Sequence, residues 1–67
     1  MNIRYDAKID AVYFGLVKGK YKKTRKITDS IMVDEDENGK ILGIEILDAK
    51  DNIAAFDPKN LTFSVKA

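Results

Sequence analysis

The residues with the most chemistry in them are spaced Asp34-x-Asp36-x-Asn38-Gly39-x-x-x-x-x-Glu45. Oxygen donors at alternate positions, a glycine for a sharp turn and a glutamate six residues later are the ligand pattern of a calcium-binding loop, and Ile41 occupies its apolar eighth position. Such a loop needs a helix on each side. Here residues 28–33 are β-branched and alternating, and residues 41–47 are strand-like through the second half of the pattern. In an extended chain Glu45 lies roughly 20 Å from the turn, at about 3.3 Å per residue, which is too far to close a cage. Two readings remain for these residues. The full pattern would take Asp34, Asp36, Asn38 and Glu45 as ligands; short of it, either the acidic turn over residues 34–38 alone binds calcium or another divalent cation weakly, through Asp34 and Asp36 with Glu35 and Glu37, or the acids solvate a turn and face a basic strand.

That basic strand is the second concentration of chemistry. Six Lys/Arg fall between residues 18 and 26, with Tyr21 among them. Cations beside an aromatic suit a nucleic-acid backbone, with Lys22, Lys23, Arg25 and Lys26 as the contact set. The competing reading is a solvated edge strand. Asp6 and Asp10 are a third pair, four residues apart, and Asp at such spacing caps turns by accepting from nearby backbone amides. The chain has no Cys, His or Trp. Thiolate and imidazole metal sites and the familiar nucleophile–base pairs are therefore excluded, and the expectation is a protein that is not an enzyme and carries no cofactor.

Net charge is +1 over 67 residues, but residues 1–33 carry +5 and residues 34–67 carry −4. Opposite charge along one small chain lets neighbouring strands pair across the ladder. No apolar run approaches the roughly 20 residues that span a bilayer, and the N-terminus lacks a signal-peptide core, so a cytoplasmic location and no membrane partner are expected.

The elements that must hold these residues read as one domain over residues 1–67. Residues 2–5 alternate, as a first strand. Residues 11–17 form a second, with Val12, Phe14 and Leu16 on one face and Tyr13, Gly15 and Val17 on the other. Residues 21–27 form a charged edge strand. Residues 30–34 and 41–47 make a hairpin around Asn38-Gly39, the dipeptide that supplies the positive φ of a tight turn. Its second arm carries Gly43, a gap where a helix or a ring can approach closely. Residues 49–56 switch to helical spacing behind Asp48 as N-cap, Asp57-Pro58 ends that helix, and residues 61–65 alternate again as a last strand. The fold class is α+β and β-rich: an antiparallel, mostly meandering sheet of five to six strands with one short helix near the C-terminus.

Three segments together, Ile3-Arg4-Tyr5-Asp6 with Asp10-Ala11-Val12-Tyr13-Phe14, the charged strand, and residues 30–36 leading through Gly39-Lys40-Ile41 to Leu42-Gly43-Ile44-Glu45-Ile46-Leu47-Asp48-Ala49, resemble the domain of unknown function 2283 family of small bacterial and archaeal proteins. The resemblance covers residues 2–49, and the chain from Lys50 onward departs from it. It implies no catalytic residues. It implies a protein-binding role, because some members are similar to antitoxin-like partners of small toxin-like proteins.

Apolar side chains on both faces of the second and fifth strands call for cover that one short helix does not supply. The expected function is a small protein-interaction domain, homodimeric or antitoxin-like, whose partner is a second copy or a neighbouring gene's product. The expected interface is Tyr13, Val17, Met32, Ile41 and Leu47.

Overall fold

Alternating β-branched and aromatic residues fold into five strands, described in a computed structural model for residues 1–66: β1 (Asn2–Asp6), β2 (Ala11–Gly15), β3 (Tyr21–Lys26), β4 (Ile31–Asp36) and β5 (Ile41–Ile46). All pairings are antiparallel, and the spatial order is β1-β2-β5-β4-β3. The three strands β3 to β5 meander, and the β1–β2 hairpin lies against β5. Between β2 and β3 the chain therefore crosses the end of the sheet to the far edge. It begins that crossing with Leu16 and Val17 both donating their amides to the Leu42 carbonyl, at 2.9 and 3.2 Å.

The central turn differs in detail from a two-residue Asn-Gly turn. Only Gly39 has positive φ, at 76°. Its amide donates to the Asp36 carbonyl at 3.1 Å, and the Asp36 carboxylate accepts from the amides of Asn38 and Lys40, each at 2.9 Å. Asp36 thus closes the turn with its own side chain. A register shift between Asp34 and Glu35 brings Ile41, rather than Leu42, opposite Glu35, as a bulge does when it inserts one extra residue.

Register assigns the two faces. Ile3, Tyr5, Val12, Phe14, Ile31, Val33, Ile44 and Ile46 lie on one face, and Asn2, Arg4, Tyr13, Met32, Asp34, Thr24 and Glu45 on the other. The first face holds most of the core: Val12 and Ala49 are fully buried, and Val33 and Leu42 are buried too; Ala11, also buried, falls by register on the side of Tyr13. Glu35 is buried among them and bonds Arg25 Nε at 3.2 Å across the β3–β4 pair. The strands are one layer, and the molecule is only 19 Å thick along its shortest axis. Cover on the core face comes from a single-turn helix, α1 (Ala49–Asn52), and from the segment after it, where the Phe56 ring packs on Tyr5 with centroids 5.1 Å apart.

Two C-terminal expectations, the extent of the helix and the last strand, are corrected, while Asp48 stands at the N-cap as expected but without a side-chain bond. The helix stops at Asn52 instead of running to residue 56, since Ile53 is extended (φ −111°, ψ 121°) and Ala55 is left-handed. A β-branched residue resists helix continuation, and tertiary packing of Phe56 on Tyr5 sets the chain path instead. Asp48 is itself left-handed and makes no side-chain cap bond. The cap comes from across the molecule: Asp10 accepts from the Ala49 amide through its carbonyl (2.9 Å) and from the Lys50 amide through its carboxylate (3.2 Å). Residues 61–65 form no strand. Alternation supplies a face, but a strand also needs a ladder partner, and this segment follows a 3-10 turn (Pro58–Asn60) capped by the Asp57 carboxylate without pairing to any edge.

Candidate functional site

The polar face has one organised centre, built around Tyr13. Its ring lies across the backbone of β5 at Gly43, where a Cβ would overlap the Tyr13 hydroxyl and stand 2.9 Å from the Phe14 carbonyl oxygen. The gap legible in the sequence at Gly43 is thus filled by this ring. Arg4, directly opposite Tyr13 on β1, places its guanidinium carbon 4.8 Å from the ring centroid, a cation–π distance. Glu45 stands opposite Tyr13 on the other side. Arg4, Tyr13, Thr24, Asp34 and Glu45 line a shallow depression of about 320 Å³.

A hydrogen-bond chain runs into this depression from the sheet edge. Thr24 Oγ1 donates to Asp34 Oδ1 at 2.7 Å, and Tyr21 Oη stands 2.8 Å from the same Thr24 oxygen. Because the single threonine proton is committed to Asp34, Tyr21 is the donor to Thr24. The Tyr13 hydroxyl is held above its ordinary pKa, first by burial and then by hydrogen bonding to and the charge of Asp34, with Arg4 opposing. Tyr5, on the other face, is raised chiefly by its hydrogen bond to Asp10, at 2.7 Å. Phenols raised in this way stay protonated at neutral pH. They donate hydrogen bonds, whereas a general base or nucleophile needs the opposite shift.

The structure scatters most of the residues singled out in the sequence. Of the cation-ligand candidates, Asp34 accepts from Thr24, Asp36 closes its own turn, Asn38 lies in that turn, and Glu45 lies along β5 beside Tyr13. The flanks are strands, not helices, and among the described residues no three acidic side chains converge as a cation cage. Of the basic set, Arg25 is bonded to Glu35 and Lys26 pairs with Asp29 at 2.9 Å, leaving Lys22 and Lys23 exposed on the edge strand. Asp6 caps its own loop by accepting from the Lys8 amide at 3.0 Å.

The five interface candidates divide as well. Tyr13 and Met32 share the polar face, and Leu47 follows β5 with its amide on the Ser30 carbonyl. Val17 lies in the crossover, 62% exposed. Ile41 is turned by the bulge to the side of Glu35, away from Tyr13, because residues directly opposed across a ladder share a face. Arg4 and Thr24 escaped the sequence reading. Only strand register brings them to Tyr13, and no spacing in the chain announces it.

A single antiparallel sheet with a hydrogen-bonded polar face and a thin apolar cover defines a small β-sheet module, and no helix among its described residues is long and apolar enough to cross a membrane. The chain belongs to the family described as protein of unknown function DUF2283, whose model matches residues 2–50. Comparison with curated proteins and with solved structures gives no match.

Proposed function

We propose that the chain is a non-enzymatic protein-interaction domain that offers the apolar face of its sheet to another protein. The observation that carries this reading is the incomplete second layer. Ile3, Phe14, Ile31, Ile44 and Ile46 on that face are all only half-buried, beneath a four-residue helix and one aromatic contact. Domains ordinarily bury a sheet face under a second full layer, and burial returns about 25 cal/mol per Å² of apolar area before association costs. A partner's surface completes that layer. The polar face has less such need, since Tyr13 reaches over Gly43 beneath the Arg4 guanidinium and Thr24 donates to Asp34. A cytoplasmic partner, either a second copy or the product of a neighbouring gene, fits the antitoxin-like role.

Adjacent residues on opposite faces test it. Ile31→Lys places a charge on the apolar face, and Met32→Asp places one on the polar face. With both variants folded by circular dichroism, light scattering and titration with the neighbouring gene's product should show association lost in Ile31→Lys and kept in Met32→Asp. The reverse pattern would move the interface to the Tyr13 face, and association in neither variant nor wild type would reject the reading.

A further inference from the structure

The two open edges of the sheet are unlike. The β3 edge is guarded: all six residues are exposed, four are Lys or Arg, and a register shift interrupts its pairing between Tyr21 and Lys23. Lysines and bulges are the ordinary means of keeping another strand from adding on. The β1 edge has neither. Asn2–Asp6 runs in unbroken register with β2, contains no Lys and no Pro, and has no strand on its other side. Its outward backbone groups are a ready template.

A segment suited to that template lies in the same chain. Residues 61–65, Leu-Thr-Phe-Ser-Val, alternate apolar and hydroxyl side chains, the pattern of a strand with one covered face. Yet Phe63 and Val65 stand 59% and 80% exposed. The path to them passes β1, because Phe56 packs on Tyr5, and after the capped turn Pro58–Asn60 the chain joins no ladder. This tail also lies beyond the residues the family model matches.

We infer that residues 61–65 of one copy add as a sixth strand to the β1 edge of a second copy, each tail serving the other's sheet. Backbone ladder bonds supply the attachment, as in other strand additions. Alternation would set Leu61, Phe63 and Val65 beside Ile3 and Tyr5, extending the apolar face, with Thr62 and Ser64 beside Asn2 and Arg4. A reciprocal exchange is a closed two-fold contact, so it stops at the dimer. The contact uses the sheet edge and goes beyond the face contact proposed above, which the test leaves intact.

The test is sedimentation equilibrium of the full chain across a concentration series, with Phe63→Asp/Val65→Asp as the variant; both side chains are exposed, so folding should be retained. Wild type should dimerise and the variant should weaken dimerisation by at least about tenfold. In a mixture of isotope-labelled and unlabelled chains, intermolecular contacts should join the Phe63 ring to Ile3. A monomer at all concentrations, a dimer indifferent to the variant, or Phe63–Ile3 contacts only within one chain would each overturn the proposal. Dimerisation unchanged by Phe63→Asp/Val65→Asp but abolished by Ile31→Lys would assign self-association to the face instead.

Discussion

Both faces of the sheet carry large side chains on β2 and β5, and they accommodate them by different means. On one face Val12, Phe14, Ile44 and Ile46 stack across the β2–β5 pair, with Ile31 and Val33 beyond, and depend on other elements for cover, which buries Val12 and Val33 and leaves the other four half-buried. On the other, Tyr13 reaches over Gly43 under the Arg4 guanidinium, so the end of its ring covers the backbone itself. An aromatic beside a glycine can thus close a sheet face locally, without a second layer, whereas branched aliphatics cannot. The face with the more conspicuous aromatic is the self-contained one.

That contrast breaks most readily at Gly43. Gly43→Ala forces a methyl into the Tyr13 ring and toward a backbone carbonyl, and should cost about 3 kcal/mol in urea denaturation, the upper range for overpacking. Adding Tyr13→Ala should recover part of the loss, the Phe14 carbonyl contact keeping the rest. Equal stability of Gly43→Ala and wild type would show that the ring does not lie there. On the opposite face, Val12→Ala removes two carbons from the most buried side chain and should cost about 2 kcal/mol.

The ion pairs refine the comparison. Arg25→Met leaves the buried Glu35 carboxylate without its cation and should cost about 1.5 kcal/mol, the low end for a charge-assisted bond because Arg25 is itself half exposed. Lys26→Met, which loses only the surface pair with Asp29, should be indistinguishable from wild type in the same denaturation.

The two phenols extend the comparison to pH. Tyr13 has its pKa raised in the folded state, so the proton is held more tightly there than in the unfolded chain. Its contribution to stability is therefore complete below the ordinary tyrosine value of about 10 and is lost as pH rises through the higher folded value. Thermal denaturation between neutral pH and the alkaline limit should show a decline beginning near pH 10 that is shallower in Tyr13→Phe. Tyr5, raised by Asp10, adds to the same decline, so some slope should persist in that variant. A decline of unchanged steepness in Tyr13→Phe would place the Tyr13 hydroxyl in solvent.

Much of this arrangement was legible beforehand from local pattern. The period-2 runs at residues 2–5, 11–17 and 41–47 located three strands to within about two residues, and the lysine-rich run marked an edge. The alternation of opposite charge between residues 21–26 and 34–36 foretold the β3–β4 pairing that puts Lys23 opposite Glu35. In the tail the local signals place a short helix near the C-terminus but do not suffice for its extent or for a last strand. Ala49, Ile53 and Phe56 are spaced for a helix and residues 61–65 for a strand, and neither spacing says which surface receives them.

The sequence by itself determined the strands, their turns and the charge of the guarded edge, because those follow from side-chain period, glycine at Gly39 and short-range hydrogen bonds such as those of Asp36. Only the tertiary structure decided that Asp10 caps a helix forty residues away, that a bulge turns Ile41 from Tyr13, and that Arg4, Thr24 and Asp34 meet one ring. Those outcomes depend on long-range placement, the Asp10 loop against α1 and the β1–β2 hairpin beside β5, and on a bulge that no residue spacing announces; sliding any of these pairings by one residue would exchange the faces.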